Sequence, residues 1–308
     1  MSEQYEGFCS QRMDAFMKAH SEFADVVQRC RDLLALQKKT GKQLSFSEGQ
    51  EFVWTEDDFL SGVPLVTKID PVFFRVPLRQ SSVLMFTGLA EIFPSLRGSI
   101  AQMEQYLKDD DGCGKCLAVV IHGDAEALAA AACAADVEQN FLLFYVRAVY
   151  SPCVAAMRPR LAQHPSVVLW RKRYCPVCGS DPDLETLELH ANEADFVVSK
   201  SGQAWLHCPQ CGLRWRFARA VCPSCGTQEN DKLTRYALSE KPQEFIYACD
   251  ACNHYLPCMD IAEATDPDVF SNLDCASLTL VHLDAMAQAK GYEPLSPGAG
   301  AIFRLIGQ

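Results

Sequence analysis

The first half of the chain has its apolar side chains at helical spacing. Within residues 12–37 they recur every three to four positions with charged residues between them, which predicts an amphipathic helix that ends near Gly41. Residues 62–79 are rich in proline without a clear period and predict a loop. Residues 83–107 predict two helices broken at Pro94, because a proline ring does not fit a helix interior. This half therefore predicts a packed helical domain.

The pattern changes in the second half, where short alternating segments separated by turn residues predict β-strands. Their apolar content is too small for an independent core of the usual kind, so something else has to hold this region together. A final apolar pattern over residues 273–286 predicts one amphipathic helix that stops near Gly291. The predicted strands are Leu184–His190, Phe196–Val198, Trp205–Cys208, Leu233–Leu238 and Phe245–Ala248.

Composition narrows the class of protein. The 308 residues, with 49% hydrophobic and 22% charged side chains, are typical of a globular chain with two or three domains. A net charge of -11 argues against general binding to nucleic acid or anionic lipid. The polar start of the sequence and the lack of an apolar run of 18 residues predict a chain without signal peptide or membrane span. We therefore expect a cytoplasmic protein.

Sixteen cysteines are many for such a chain, and their spacing carries the chemistry. In the reducing cytosol, paired cysteines indicate metal ligands or redox centres instead of disulfides. Four C-x-x-C motifs, here called knuckles, each make a tight turn that points both sulfurs at one ion. Glycine or asparagine follows every second cysteine and supplies the left-handed backbone that this turn needs. The knuckles are Cys175–Cys178, Cys208–Cys211, Cys222–Cys225 and Cys249–Cys252.

The distances between knuckles favour a sequential pairing. Gaps of 29 residues after the first knuckle and 23 after the third each accommodate a β-hairpin, as in a rubredoxin or zinc ribbon, whereas only 10 residues separate the second from the third. Two sites of four cysteines follow, one from the first two knuckles and one from the last two; an interleaved arrangement is the alternative. Tetrathiolate sites suit zinc or iron, and the sequence does not distinguish them.

Other residues near the knuckles have two interpretations. The basic residues are Arg171, Lys172, Arg173, Arg214, Arg216 and Arg219. They either compensate thiolate charge or, with Trp215, form a partner-binding surface for an acidic or extended peptide or for nucleic acid. Three side chains could replace a ligand but are more simply neighbours of the sites: His207, His254 and Cys258. A fifth motif, Cys113-Gly-Lys-Cys116, has no partner knuckle and is interpreted as two unligated thiols, with a redox pair or an intermolecular metal contact as the alternatives.

The region from Tyr174 to Asp260 resembles the FdhE family of formate dehydrogenase accessory proteins. The resemblance lies in the CPVCGS opening, the WLHCPQCGLRWRFARAVCPSCG block, the CDACN knuckle and the closing DCASLTLVHLDAMAQAKGY. It implies a cytoplasmic protein needed to produce active respiratory formate dehydrogenase, with rubredoxin-like folds and iron as the metal. It also implies a physical partner, the catalytic subunit of the dehydrogenase, and the eight knuckle cysteines as metal ligands.

Together these observations predict an α+β fold. An α-helical domain (residues 1–170) precedes a first rubredoxin-like metal domain (171–212) and a second one with a C-terminal helix (213–308). The resemblance implies a maturation factor or chaperone. A closed tetrathiolate site leaves no open coordination position, which disfavours hydrolytic chemistry and agrees with a non-enzymatic role. A rubredoxin-like electron-transfer protein and a nucleic-acid-binding zinc ribbon are the alternatives.

Overall fold

The computed structural model describes residues 2–47, 53–188, 202–262 and 273–296, with side chains from residue 11 onward. Its helices are α1 Ser2–Ala19, α2 Ala24–Gly41, α3 Glu56–Ser61, α4 Val72–Ile92, α5 Arg97–Tyr106, α6 Asp110–His122, α7 Ala125–Ala135, α8 Gln139–Leu161, α9 Leu273–Leu278 and α10 Val281–Ala289. Its strands are β1 Leu184–Glu188, β2 Gln203–His207, β3 Arg214–Phe217, β4 Leu233–Leu238, β5 Lys241–Cys249, β6 His254–Asp260 and β7 Glu293–Pro294.

The helix predictions are partly confirmed. The helix that ends at Gly41 and the break at Pro94 are both present. The single helix over 12–37 is wrong, because a short 3-10 turn at Ser21–Phe23 separates α1 from α2. The loop over 62–79 is wrong from Val72 onward, since α4 runs through Pro77. The buried aromatic and leucine side chains of this helix outweigh the local cost of proline.

The strands form one continuous sheet of seven strands in the order β3-β2-β1-β6-β5-β4, with β7 paired to β6. Two antiparallel ribbons, β1–β3 and β4–β6, meet where β1 pairs in parallel with β6. The parallel pairing sets Glu185 opposite Cys258. The sheet therefore fixes both ribbons in one framework.

Most predicted strands are confirmed: β4 at its predicted bounds, β1 over its described residues, and β2 and β5 with shifted ends. Strands β3, β6 and β7 were not predicted. The predicted strand Phe196–Val198 lies outside the described residues, as do the last two residues of Leu184–His190. The predicted C-terminal helix is present as two helices, α9 and α10, and the backbone at Gly291 is left-handed (φ +90°).

The chain divides into two compact units. Among the described residues, the first unit, here called the sheet unit, comprises 2–28, 168–175, 180–188, 202–262 and 273–296. The second, here called the helical unit, comprises 29–47, 53–167 and 176–179. A helical N-terminal region followed by a sheet-containing region confirms the predicted α+β class. The division into domains 1–170, 171–212 and 213–308 stays a prediction, because it concerns which segments fold independently.

Each unit has its own core. In the sheet unit, α9 and α10 cover one face of the sheet through apolar side chains such as Leu273 and Leu283, which belong to one core with Leu184 and Ile246. In the helical unit the buried residues lie mainly on α4, α6 and α8. Helix α8 is long and apolar enough to cross a membrane by length and composition alone, but 67% of its most apolar window is buried in the protein, as in a core helix.

Candidate metal centres

The four knuckles occupy four turns beside the sheet. The first precedes β1, and the third joins β3 to β4. The second and fourth are the turns of the β2–β3 and β5–β6 hairpins. Each ribbon therefore carries one knuckle on a hairpin turn and one on the segment that leads into the ribbon.

The predicted turn conformation is present in every knuckle. Gly179, Gly212, Gly226 and Asn253 all have positive φ, between +58° and +79°. In three knuckles the N–H of this residue donates to the carbonyl of the first cysteine, at 2.8–2.9 Å. A Cβ atom is disfavoured in this left-handed conformation, and asparagine tolerates it because its short polar side chain can hydrogen-bond locally, so glycine or asparagine fits after each second cysteine.

The first quartet brings together the sulfurs of Cys175, Cys178, Cys208 and Cys211, all within 4.8 Å of one another. All four side chains are buried, with exposed fractions of 5% or less. The Sγ atoms of Cys175 and Cys211 are 3.6 Å apart. Within the helical unit, the carbonyls of Pro176 and Val177 accept hydrogen bonds from two backbone N–H groups of the Leu65–Lys68 turn, both at 2.9 Å.

The second quartet brings together Cys222, Cys225, Cys249 and Cys252, again within 4.8 Å. The sulfurs of Cys222 and Cys252 are 3.7 Å apart, as are those of Cys225 and Cys249. Here Cys225 is exposed and Cys252 is half-buried. The sequential grouping of knuckles is therefore the one that the fold forms.

The sulfur spacing fits a tetrahedral ion. Metal–sulfur bonds of about 2.3 Å place the corners of a tetrahedron about 3.8 Å apart. The observed separations of 3.6–3.7 Å match that edge and greatly exceed the roughly 2.05 Å of a disulfide bond. The donor set of four thiols and its geometry thus suit zinc or iron, and the two clusters could each hold one ion.

The second quartet also has donors that favour thiolate. The backbone N–H of Ser224 donates to the Cys222 sulfur at 3.4 Å. Burial raises the pKa of the Cys222 and Cys249 thiols although backbone N–H groups oppose it. Burial also raises the pKa of Cys252, but hydrogen bonds from His254 and Ser224 outweigh it and lower the value to about 6. Because metal ligands must be deprotonated, ion binding at these thiols releases protons.

The three alternative ligands have other partners. His207 lies between two carboxylates, with Nδ1 2.7 Å from Asp183 and Nε2 3.0 Å from Asp274. Nδ1 of His254 is 2.8 Å from the Cys252 carbonyl, and the Cys258 thiol donates to Glu185 at 3.6 Å. None of these three side chains joins a four-cysteine cluster.

His207 and the carboxylates of Asp183 and Asp274 form a charged bridge that the sequence did not predict. Burial opposes a charged imidazole, but Asp183 and Asp274 outweigh it and hold the pKa of His207 well above its usual value of 6.5. Asp274 lies on α9, so the bridge links the end of β2, next to Cys208, to the helix that covers the sheet. No local motif indicates this contact, because 67 residues separate its ends.

The predicted partner-binding residues differ in accessibility. Trp215 is buried, and its Nε1–H donates to the Lys172 carbonyl at 2.9 Å. Arg214 pairs with Glu188, and its guanidinium lies over the Trp205 ring, 5.3 Å from the centroid. Arg216 is half-buried and Arg219 is exposed. Partner binding by these residues stays a prediction, and the geometry gives Arg214 and Trp215 roles within the fold.

The fifth motif lies on α6, inside the helical unit. Cys113 and Cys116 are both fully buried. Burial raises the pKa of both thiols, to about 12 for Cys116. A protonated buried thiol is a poor nucleophile and a poor ligand, which favours the interpretation as two unligated thiols.

The fold and the two sulfur quartets define an α+β protein with two four-cysteine clusters that could each bind a metal ion. Comparisons with known proteins show what this chain is similar to. A protein named FdhE homolog from Shewanella baltica (strain OS185) is 27% identical to this chain over 282 residues, which cover 88% of this chain and 80% of the relative. In Aquifex aeolicus the identity is 32% over 126 residues, which is 40% of each chain. No protein-family model matches the chain.

A solved structure shares the fold. The crystal structure of the FdhE protein from Pseudomonas aeruginosa superposes with a TM-score of 0.62 at 17% identity, covering 94% of this chain and 93% of the other. These comparisons confirm the resemblance to the FdhE family that the cysteine block predicts.

Proposed function

We propose that this chain is an accessory protein for formate dehydrogenase maturation that binds the catalytic subunit and carries two tetrathiolate iron centres. The observation that supports this proposal most is the pair of sulfur quartets, each with tetrahedral spacing, in a chain that resembles FdhE homologues over 88% of its length. The catalytic subunit and iron follow from the family resemblance.

The quartets would hold the ions through Cys175, Cys178, Cys208 and Cys211, and through Cys222, Cys225, Cys249 and Cys252. Four thiolates fill a tetrahedral ion and leave no position for substrate or water, so hydrolytic chemistry is disfavoured. The role that fits a closed site is to stabilise the ribbons and, with iron, to exchange single electrons. The protein is accordingly proposed to act in the cytoplasm by binding, without catalysing a reaction itself.

The decisive experiment is capture of the catalytic subunit by the purified, metal-loaded chain. Cys175→Ser/Cys208→Ser and Cys222→Ser/Cys249→Ser variants should each lose one ion and capture much less subunit. Cys133→Ser is the matched control, because Cys133 is an exposed cysteine on α7 outside both quartets. Undiminished capture and maturation after disruption of both quartets would contradict the proposal.

Electron transfer is a second candidate, favoured by one observation. Cys225 of the second quartet is exposed, so a redox partner could approach this sulfur directly. An iron-loaded chain should then be red and give a reversible one-electron wave that Cys225→Ser abolishes or shifts. Purification of a colourless chain with two zinc ions from metal-balanced medium would remove this candidate and leave the maturation role intact.

A further inference from the structure

A patch of the sheet unit combines exposed apolar and cationic side chains. Val168 and Leu169 are 72% and 63% exposed, and they directly precede Arg171. Arg171 and Arg219 are exposed and Arg216 is half-buried. We call these five residues, Val168, Leu169, Arg171, Arg216 and Arg219, the arginine surface.

The fold brings the segment that carries Val168, Leu169 and Arg171 beside β3, which carries Arg216. The indole of Trp215, which neighbours Arg216 on β3, donates to the Lys172 carbonyl and so places the 168–173 segment beside this strand. Nη1 of Arg171 donates to the carbonyls of Val168 and Trp170 at 2.8 and 2.7 Å, which fixes the guanidinium against its own segment. The Nε and Nη2 atoms of Arg171 make no protein hydrogen bond within the described ranges.

Two of the cations at this surface, Arg171 and Arg216, are not paired with a carboxylate of the described residues. Partial burial lowers the pKa of Arg171, and electrostatic repulsion from Arg216 lowers it further. In contrast, Arg214 on the same strand is paired with Glu188, and Arg173 donates to the Ser224 carbonyl. Two neighbouring unpaired guanidinium groups favour an anionic ligand.

The exposed Val168 and Leu169 and the net charge of the chain indicate which kind of anionic ligand suits this surface. Two large exposed aliphatic side chains beside the arginines suit a ligand that offers apolar groups as well as carboxylates. The net charge of -11 opposes the long phosphate backbone of a nucleic acid, which would be repelled outside this patch. A short acidic peptide with interspersed apolar residues meets both conditions.

We propose that the arginine surface binds an acidic, extended peptide segment of a partner protein, with carboxylates at Arg171 and Arg216 and apolar side chains at Val168 and Leu169. This inference rests on the proposed function only in that the chain engages a partner protein. It names the chemistry of the segment that the partner would present.

Fluorescence anisotropy with a labelled peptide of alternating Glu and Val tests the proposal on the metal-loaded chain. The wild-type chain should bind this peptide in a salt-sensitive manner, and the matching Lys–Val peptide should not bind. Arg171→Glu/Arg216→Glu should weaken binding about tenfold or more. Arg97→Glu, the same type of substitution at one exposed arginine of α5, should leave binding unchanged.

Additional measurements distinguish a misfolded variant, a failure of peptide binding and a failure of the proposed function. Arg171→Gln/Arg216→Gln, which introduces no new negative charge, should show the same direction of effect, with unchanged circular dichroism and metal content. Equal peptide binding by wild type and both double variants, or no wild-type binding, would overturn the inference. Tighter binding of a single-stranded oligonucleotide of equal charge would overturn it in favour of nucleic acid. If wild type binds the peptide but does not capture the catalytic subunit, the proposed function fails while the surface stands.

Discussion

The first and second quartets have the same ligands and the same turn geometry, but they differ in access to solvent. Local sequence fixes the knuckle, since glycine or asparagine in the left-handed conformation follows every second cysteine. Tertiary packing fixes the access: all four sulfurs of the first quartet are buried, whereas Cys225 of the second is exposed. The comparison teaches that ligand spacing predicts where an ion binds, while the surrounding fold decides what can reach it.

Loss of a ligand from the buried quartet should have the largest effect. Cys208→Ser should release the first ion and unfold the β1–β3 ribbon, because structural metal sites contribute on the order of 10–16 kcal/mol to folding. Metal analysis and limited proteolysis measure both results. Cys133→Ser should change stability by less than about 0.5 kcal/mol. A Cys208→Ser chain with two ions and wild-type protease resistance would contradict this expectation.

A chelator should remove the ions of the two quartets at different rates. A chelator can reach the second ion at the exposed Cys225 side, whereas the first ion requires local opening of buried structure. We expect the second ion to leave about tenfold faster, which corresponds to about 1.4 kcal/mol. The time course of metal transfer to a coloured chelator, in wild type and in chains with one quartet disrupted, gives each rate. Equal rates, or faster loss from the first quartet, would mean that burial does not control access.

The parallel β1–β6 pairing, here called the seam, contains Glu185, and its stability should depend on pH. Burial raises the pKa of Glu185 from 4.5 to about 7, although the Cys258 thiol and Arg219 oppose this. Since the folded chain holds this proton more tightly than the unfolded chain, stability decreases as pH rises from 4.5 to 7. Glu185→Gln should therefore match wild type near pH 4.5 and be more stable at pH 8, by up to about 3 kcal/mol.

Urea unfolding at the two pH values measures this difference. Glu91→Gln, at an exposed position of α4, is the control and should show no such pH-dependent gain. If Glu185→Gln behaves like wild type at both pH values, the buried carboxyl does not weaken the seam. If it slows metal release from both quartets, the seam couples them.

The smallest effect is expected at Arg173, which lies two residues before the first quartet and donates to Ser224 in the second. Arg173→Ala removes one exposed hydrogen bond, so release of the second ion should accelerate by about threefold. The first ion should be unaffected, and Arg97→Ala should change neither rate. Acceleration of both ions, or of neither, would show that this contact does not support the second knuckle.

Local patterns predict the quartets well and the framework around them less well. The knuckles, their sequential pairing and their left-handed turns follow from spacing and from single glycines. The continuous sheet does not, because the β1–β6 pairing joins segments about 70 residues apart, and β3 is too short and too charged to show a strand pattern. The helix through Pro77 was missed because buried neighbours, which the sequence does not display, outweigh a local penalty.

The most direct test of the account is the number of ions per chain and their sulfur coordination in anaerobically purified protein. Metal analysis with X-ray absorption spectroscopy should give two ions per chain, each with four sulfur neighbours at about 2.3 Å. Chains with either quartet disrupted should retain one ion. Fewer than two ions, nitrogen or oxygen ligands, or knuckle cysteines joined as disulfides would contradict the account.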